Sequence, residues 1–318
     1  MMDIVRRNLF MYYFIVNPNS RSGKGALIWK ELRRTLRQKH VSYKAVFTEY
    51  RGHAVKLAAS VTAKASPEHP VYLIAVGGDG TIQEVLSGVK DLSCIYFGYI
   101  PTGSGNDFCR SMQLPQDPHE ALDCILKRKH IASMDVPVIS IKGRKSHFAI
   151  SCGIGFDAAV CHEVGVTPMK KVLNRVGLGK LVYLFVALKQ LLFLKPVPVT
   201  LRMDEEHIYP FHKVYFAAVM NQKYEGGGFK FCPDASPSDG YLDVIVVDGL
   251  SKLKVLFCLP TAFWGKHTQF TGIHIFRCKK VEVFSTVPLA VHKDGESAGI
   301  QETFSVSIEK EPVKIILP

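Results

Sequence analysis

Two stretches of this chain place glycines, hydroxyls and a carboxylate at spacings suited to gripping phosphate. The run Val71-Tyr72-Leu73-Ile74-Ala75-Val76 stops at Gly77-Gly78-Asp79-Gly80-Thr81, and a helix-like stretch, Thr81 to Val89, follows at once. An apolar, β-prone run ending in such a cluster is how a buried strand feeds a phosphate-binding turn at a helix N-terminus. The pattern returns where Ile95 to Ile100 ends in Pro101-Thr102-Gly103-Ser104-Gly105-Asn106-Asp107. Two such turns in adjacent strand–helix units suggest a nucleotide site built from strand ends.

In the first turn the glycines permit positive φ and leave room for phosphate against the backbone. Thr81 is placed to cap the helix, whose free N–H groups favour an anion. Asp79 is a poor neighbour for phosphate unless it holds Mg²⁺ or a ribose hydroxyl. The polar loop Asn17-Pro18-Asn19-Ser20-Arg21-Ser22-Gly23-Lys24-Gly25 can wrap phosphates through backbone N–H groups, although it is not a P-loop. On its own it reads better as a solvated turn.

The second half carries two carboxylate clusters. In Asp234-Ala235-Ser236-Pro237-Ser238-Asp239-Gly240-Tyr241-Leu242-Asp243, carbonyls and Asp239 could ring a hard cation. In His292-Lys293-Asp294-Gly295-Glu296, two carboxylates could flank a substrate hydroxyl as general base. Taken singly, each reads better as an Asp-Gly hairpin turn.

The elements that must position these residues alternate through the first part. Strand patterns at Tyr12 to Val16, Ser42 to Thr48, Val71 to Val76 and Tyr96 to Ile100 interleave with helical ones. The helical patterns lie at Lys24 to Lys39, Ala54 to Ala65, Ile82 to Val89, Asp107 to Met112 and His119 to Lys127. Alternation with short connections predicts a parallel sheet covered on both faces, with ligands beyond the carboxyl ends of the strands. Past Asp135 short strand-like segments dominate: 136–141, 147–151, 197–203, 213–219, 242–247, 274–277, 280–285 and 304–309. Helices are expected there only at Leu181 to Leu194 and Lys252 to Trp264. The expected fold is α/β plus β, with a three-layer α/β/α nucleotide-binding domain over 11–134 and an antiparallel β-sandwich domain over 135–311. The last strand, about 312–318, returns to the first domain.

The 318 residues, 47% hydrophobic, suffice for two cores. An excess of 40 − 28 = 12 basic groups favours anionic partners. The eight cysteines are scattered without a Cys-x-x-Cys pair and read as buried, reduced thiols of a cytosolic protein. Arg6-Arg7 followed by Leu9 to Val16 mimics a signal peptide but meets Asn17-Pro18 instead of a cleavage site, so a first strand is the reading. Leu181 to Leu194 is interrupted by Lys189-Gln190, too short to span a bilayer. It reads as core-facing, or as a helix that dips into a membrane surface. The basic groups Arg33-Arg34-Arg37, Lys127-Arg128-Lys129 and Lys170-Lys171 lack interleaved aromatics, which argues against nucleic acid.

These pieces, in this order, resemble the soluble bacterial diacylglycerol kinase family of lipid kinases. The resemblance runs from about Tyr12 to the C-terminus and is carried by Asn17-Pro18, Gly77 to Thr81, Pro101 to Asp107, Gly226-Gly227-Gly228, Asp239-Gly240-Tyr241-Leu242-Asp243 and Asp294-Gly295-Glu296. The first glycine motif alone is unspecific, because NAD kinases share it; the second, joined to the two late motifs, is specific. The resemblance implies ATP and Mg²⁺ as cofactors. It carries nucleotide contacts onto Asn17, Pro18, Asn19, Ser20, Thr48, Gly77, Gly78, Asp79, Gly80, Thr81, Thr102 and Gly103, and onto Gln83. It implies a structural Mg²⁺ held by the Asp239 carboxylate and the Ser236 and Tyr241 carbonyls, with Asp135 reaching its neighbourhood. Glu296 matches the proton acceptor, with Asp294 as a competing candidate. The Arg21-Ser22-Gly23-Lys24 loop and Gln83 depart from the commoner Ser-Gly and Asn, which changes detail and not activity. The first ten residues extend beyond the family's usual start, which makes Met11 an alternative initiator.

The implied activity is transfer of a phosphoryl group from ATP to a hydroxyl of diacylglycerol or a related lipid, giving a product such as phosphatidic acid. Positioning and electrostatics supply most of such catalysis. An amphiphilic substrate requires peripheral contact with an anionic membrane by a cytoplasmic enzyme, and a homodimer is an ordinary outcome. The competing readings are an NAD kinase-like phosphotransferase and a non-catalytic lipid-binding protein on the same fold. The intact carboxylates at 79, 239, 294 and 296 argue against lost catalysis.

Overall fold

The computed structural model describes residues 10–103, 105–166, 186 and 189–318. By its internal contacts the chain divides into two units. One comprises Met1–Val136, His147–Ala149 and Glu309–Pro318, the other Pro137–Ser146 and Ile150–Ile308.

The first unit is built on a six-stranded sheet. Strands β1 (Tyr12–Val16), β2 (Tyr43–Phe47), β3 (Val71–Gly77) and β4 (Ile95–Pro101) run parallel in the order β2-β1-β3-β4. The C-terminal strand β15 (Val313–Leu317) continues the sheet, parallel to β4 and antiparallel to an edge strand, β5 (His130–Met134). Strand β5 was not expected, because its largely exposed residues show no apolar period. The inner strands carry unbroken apolar runs, as strands covered on both faces must. Leu73, Ile74, Ala75 and Val76 are all fully buried. Helices α1 (Ser20–Gln38) and α5 (Pro118–Lys127) share one apolar cluster with Phe14, Val16, Ile74 and Val76. Helices α2 (His53–Val61) and α3 (Asp79–Gly88) pack on each other and on β1 and β3. Their approach is close: a Cβ on Gly88 would lie 2.2 Å from the Val55 carbonyl oxygen. The short α4 (Asp107–Met112) follows β4.

The second unit is a nine-stranded antiparallel sheet system. Its strands are β6 (Pro137–Ile141), β7 (Arg144–His147), β8 (Ser151–Gly155), β9 (Val197–Met203), β10 (His207–Met220), β11 (Leu242–Asp248), β12 (Ile273–Cys278), β13 (Lys280–Lys293) and β14 (Glu296–Ile308). They follow the order β12-β11-β10-β8-β13-β14-β6-β7, with β9 pairing both β10 and β13. Three expectations change here. The segment 147–151 is not one strand, because the Ile150 N–H donates to the Asp294 side chain and its carbonyl accepts from Asn221 and Gln222, which breaks the ladder. Strands β13 and β14 run much longer than 280–285 and 304–309. Register shifts between Phe284 and Leu289, and between Ala290 and His292, erase the alternation that would have revealed their length. A helix α6 (Phe156–Val166) follows β8 where none was expected.

Helix α7 (Lys252–Thr261) and the 3₁₀ turn to Trp264 fall where expected. Of the expected helix 181–194, residues 186 and 189–193 are helical, and 181–185 and 187–188 lie outside the described residues. The unit's core gathers Phe216, Ile245 and Val247 from the sheet and Phe231 from the segment between β10 and β11, with Val255 and Ala262 from α7 and the turn behind it. Among the described residues no helix is long and apolar enough to cross a membrane. All eight cysteines are free.

Candidate functional site

In the first unit, the glycine turns after β3 and β4 and the polar loop after β1 are tied into one surface. Each leaves the carboxyl end of its strand, and the parallel register of β1, β3 and β4 brings those ends together. Asn17 donates from Nδ2 to the Thr81 hydroxyl at 3.3 Å. The Ser20 and Thr102 hydroxyls lie 2.6 Å apart and are buried. The Asp107 N–H donates to Asp79 Oδ2 at 3.2 Å, so the first turn's carboxylate braces the second turn. The Thr102 N–H (2.7 Å) and the Tyr99 hydroxyl (3.0 Å) both donate to the Gly77 carbonyl. That carbonyl thereby uses both lone pairs, which fixes the peptide at the mouth of the turn.

The two turns meet backbone against backbone. A Cβ on Gly103 would stand 2.7 Å from the Gly78 Cα, and one on Gly77 would stand 2.2 Å from the Thr81 hydroxyl oxygen. No side chain larger than glycine fits there. Thr81 does not cap α3 as expected. The helix already begins at Asp79, with Gly78 as the extended residue before it, so Thr81 sits inside the first turn. No side chain caps this helix. Its first N–H groups and the positive end of its dipole are arranged for an anion.

The loop after β1 curls tightly. Arg21 (φ 48), Ser22 (φ 58) and Gly23 (φ 92) all have left-handed backbone before α1 straightens. Asn17 holds the curl, accepting the Asn19 N–H on its side chain and the Ser20 hydroxyl on its carbonyl. Pro18 lies in the same loop, its carbonyl accepting the Ala26 N–H. Thr48 is buried just past β2, its N–H bonded to the Val16 carbonyl. Gln83 is buried on α3 and donates to Ser87. Gly80 lies in the first turn of α3, and Ser104 lies outside the described residues. Asp135 is half-buried just past β5.

In the second unit the two late carboxylate clusters have different surroundings. Asp294 and Gly295 form a two-residue hairpin between β13 and β14, with φ 46 and 74. Positive φ at both positions is the hairpin turn that Asp-Gly favours. Asp294 is buried, and its Oδ1 accepts the N–H groups of Ile150 (2.8 Å) and Ser151 (3.0 Å). Glu296, two residues on, is exposed at the start of β14. The turn is therefore an anchor with an accessible carboxylate beside it.

Behind this hairpin lies a group not singled out from the sequence. His292 is fully buried, with Nε2 2.9 Å from Asp157 Oδ2 and 3.3 Å from Glu225 Oε1. Gly153 makes the space, since a Cβ there would stand 2.3 Å from Asp157 and 2.7 Å from His292. Burial opposes charge on the ring, but the carboxylates of Glu225, Asp157 and Asp294 prevail and raise its pKa to about 9. The available signal was His292 beside Asp294, together with Asp157 after Gly153-Ile154-Gly155 and Glu225 before three glycines.

At the Asp239 turn, the carboxylate accepts the Tyr241 N–H at 3.1 Å and pairs with Arg277 at 2.6 Å. Arg277 also lies over the Tyr241 ring, 4.5 Å from its centroid. The Asp239 carboxylate and the backbone carbonyls of Ser236 and Tyr241 are all oxygen donors. An all-oxygen donor set fits Mg²⁺. Nearby Asp243 is raised to about 6 by burial, with Arg277 pulling down and Asp239 and Asp234 pushing up.

Comparison with known proteins agrees with both units. Residues 11–138 match the diacylglycerol kinase catalytic domain, and residues 151–316 match the YegS C-terminal NAD kinase beta sandwich-like domain. The Bacillus subtilis protein named "Putative lipid kinase YtlR" is 30% identical over 310 residues, 96% of this chain and 98% of that protein. A diacylglycerol kinase of Mycobacterium tuberculosis is 29% identical over 286 residues, covering 88% and 87%. A solved diacylglycerol kinase from Bacillus anthracis shares the fold with a TM-score of 0.66 at 20% identity, covering 97% of each chain. An Archaeoglobus fulgidus NAD kinase solved with ATP shares it more distantly, with a TM-score of 0.52 at 14% identity over 96% and 93%. With its glycine turns, its antiparallel second domain and a lipid kinase homologue matched end to end, this chain belongs to the diacylglycerol kinase family of lipid kinases.

Proposed function

We propose that this kinase transfers the γ-phosphoryl group of ATP to a hydroxyl of diacylglycerol or a closely related lipid, giving phosphatidic acid or its analogue. The observation that carries the reading is the joining of three loops around the uncapped start of α3, through Ser20–Thr102, Asn17–Thr81 and Asp79–Asp107. Fixed N–H groups and glycine backbone at a helix N-terminus suit a polyphosphate, and the bare contact of Gly78 with Gly103 leaves no side chain in its way. Asn17, Pro18, Asn19, Ser20, Thr48, Thr102, Gly103 and the turn Gly77 to Thr81 are the proposed nucleotide contacts.

In this reading Asp239 and the Ser236 and Tyr241 carbonyls hold Mg²⁺. When bound, the ion offsets negative charge. Glu296 is the proposed proton acceptor, because its carboxylate is exposed, whereas Asp294 spends one oxygen on two backbone donors. Asp294 then positions the hairpin that presents Glu296. Proposed partners are a lipid substrate at an anionic membrane surface, met peripherally from the cytoplasm, and a second copy in a homodimer.

The test is phosphoryl transfer to diacylglycerol in mixed micelles by wild type and Glu296→Gln. The reading expects kcat to fall on the order of 10²–10⁴-fold, the usual worth of a positioned general base. Undiminished transfer by the variant overturns the assignment of Glu296.

A further inference from the structure

Helix α7 is apolar on both of its sides. Val255, Cys258 and, past its end, Ala262 are buried on the sheet. The opposite side carries Leu253, Leu256, Phe257 and Pro260, and in the following turn Phe263 and Trp264, all exposed. Positions 253, 256, 257, 260 and 264 follow helical spacing, so they form one stripe. Leu253 is 69%, Phe257 72% and Trp264 70% exposed. The stripe does not end with the helix. Lys252 donates from Nζ to the Leu192 carbonyl, which brings in Leu192 and Phe193, exposed by 67% and 76%. Contiguous apolar surface of this kind marks a partner or a membrane.

Charge decides between them. From Gly249 to Lys266, which spans the helix and its flanking turns, the sequence contains no Asp or Glu yet carries Lys252, Lys254 and Lys266. Two copies meeting face to face through this stripe would set lysines against lysines, because a two-fold interface repeats the same patch on both sides. Aromatic and leucine side chains bordered by lysine are instead what an interfacial helix presents to anionic lipid.

We propose that α7 and its following turn, with Leu192 and Phe193, form a face that inserts into the surface of a bilayer containing anionic lipid. This rests on the lipid-kinase reading for its purpose, since it would hold the enzyme where its substrate lies. The sequence pattern pointed to 181–194 for such a role; the face proposed here is centred instead on α7.

The chain's two tryptophans supply the test. Trp29 is buried and Trp264 exposed. The full chain is mixed with phosphatidylcholine vesicles with and without one third phosphatidylglycerol, then followed by co-sedimentation and tryptophan emission. Binding to the anionic vesicles and a blue shift that Trp264→Phe abolishes are expected. The double variant Phe257→Ser/Trp264→Ser should lower the partition coefficient on the order of a hundredfold, given the apolar area removed from contact with lipid. Unchanged sedimentation of that variant, or Trp264 emission that never shifts, overturns the proposal. So does loss of self-association in the variant without loss of any vesicle binding, which would assign the face to a second copy. Phosphoryl transfer to a short-chain diacylglycerol kept monomeric should be equal in wild type and double variant. If the wild type binds vesicles through this face yet phosphorylates no lipid, the docking face stands and the lipid-kinase reading falls.

Discussion

His292 Nε2 lies 2.9 Å from the Oδ2 atom of Asp157, with the imidazole fully buried directly behind the hairpin that presents Glu296. The histidine is a fully buried cation held between Asp157 and Glu225, whose side chains are 11% and 9% exposed. Removing one partner of a buried pair leaves uncompensated charge, typically at a cost of about 3–5 kcal/mol. His292→Gln should therefore lower the melting temperature sharply, read by thermal unfolding at pH 6.5.

The same histidine sets a pH dependence. Its pKa rises from 6.5 to about 9 on folding, so the native state holds the proton more tightly than the unfolded chain. Its contribution is complete below about 6.5 and is lost as pH climbs through about 9. Wild-type melting temperature should decline across that window. A melting temperature that rises from pH 6.5 to 9 contradicts the assignment.

Gly103→Ala should damage both glycine turns at once, because its Cβ would stand 2.7 Å from the Gly78 Cα. Neither side is a flexible side chain, so backbone must move. Forcing extra volume into a packed site costs about 1–3 kcal/mol. The expected result is a KM for ATP raised at least about tenfold with the KM for lipid unchanged, measured in steady-state assays.

Ser20→Ala removes the buried hydroxyl contact to Thr102 and leaves Thr102 without it. An orphaned buried hydroxyl costs about 1–3 kcal/mol. Denaturant unfolding should show that loss, and ATP affinity should fall with it, because the loop after β1 is no longer pinned to the second glycine turn.

Asp294→Ala and Glu296→Gln should separate cleanly. Asp294 anchors the Ile150 and Ser151 N–H groups, so its loss should reduce melting temperature together with activity. Glu296 is exposed, so its variant should melt like wild type while kcat collapses. Equal melting of the two variants would contradict this division of labour.

The parallel sheet was legible because buried strands such as β3 carry unbroken apolar runs, and the glycine turns interrupt them abruptly. The loops of the proposed nucleotide surface were legible for the same reason: Gly77 to Thr81 and Pro101 to Asp107 are local signals. Their cross-links were not. Nothing in the sequence pairs Ser20 with Thr102 across 82 residues or aims Tyr99 at Gly77. Edge strand β5 was missed because an edge needs no apolar period, and the full length of β13, expected only over 280–285, because bulges reset its alternation. The His292 group was missed because Asp157, Glu225 and His292 meet only when β8, β10 and β13 pair into one sheet.

The most direct measurement is transfer of label from γ-labelled ATP with Mg²⁺, in one tube to diacylglycerol micelles and in a parallel tube to NAD. Label in phosphatidic acid, and none in NADP, is the predicted result. Label in NADP alone, or none in any lipid offered, would contradict the proposed function.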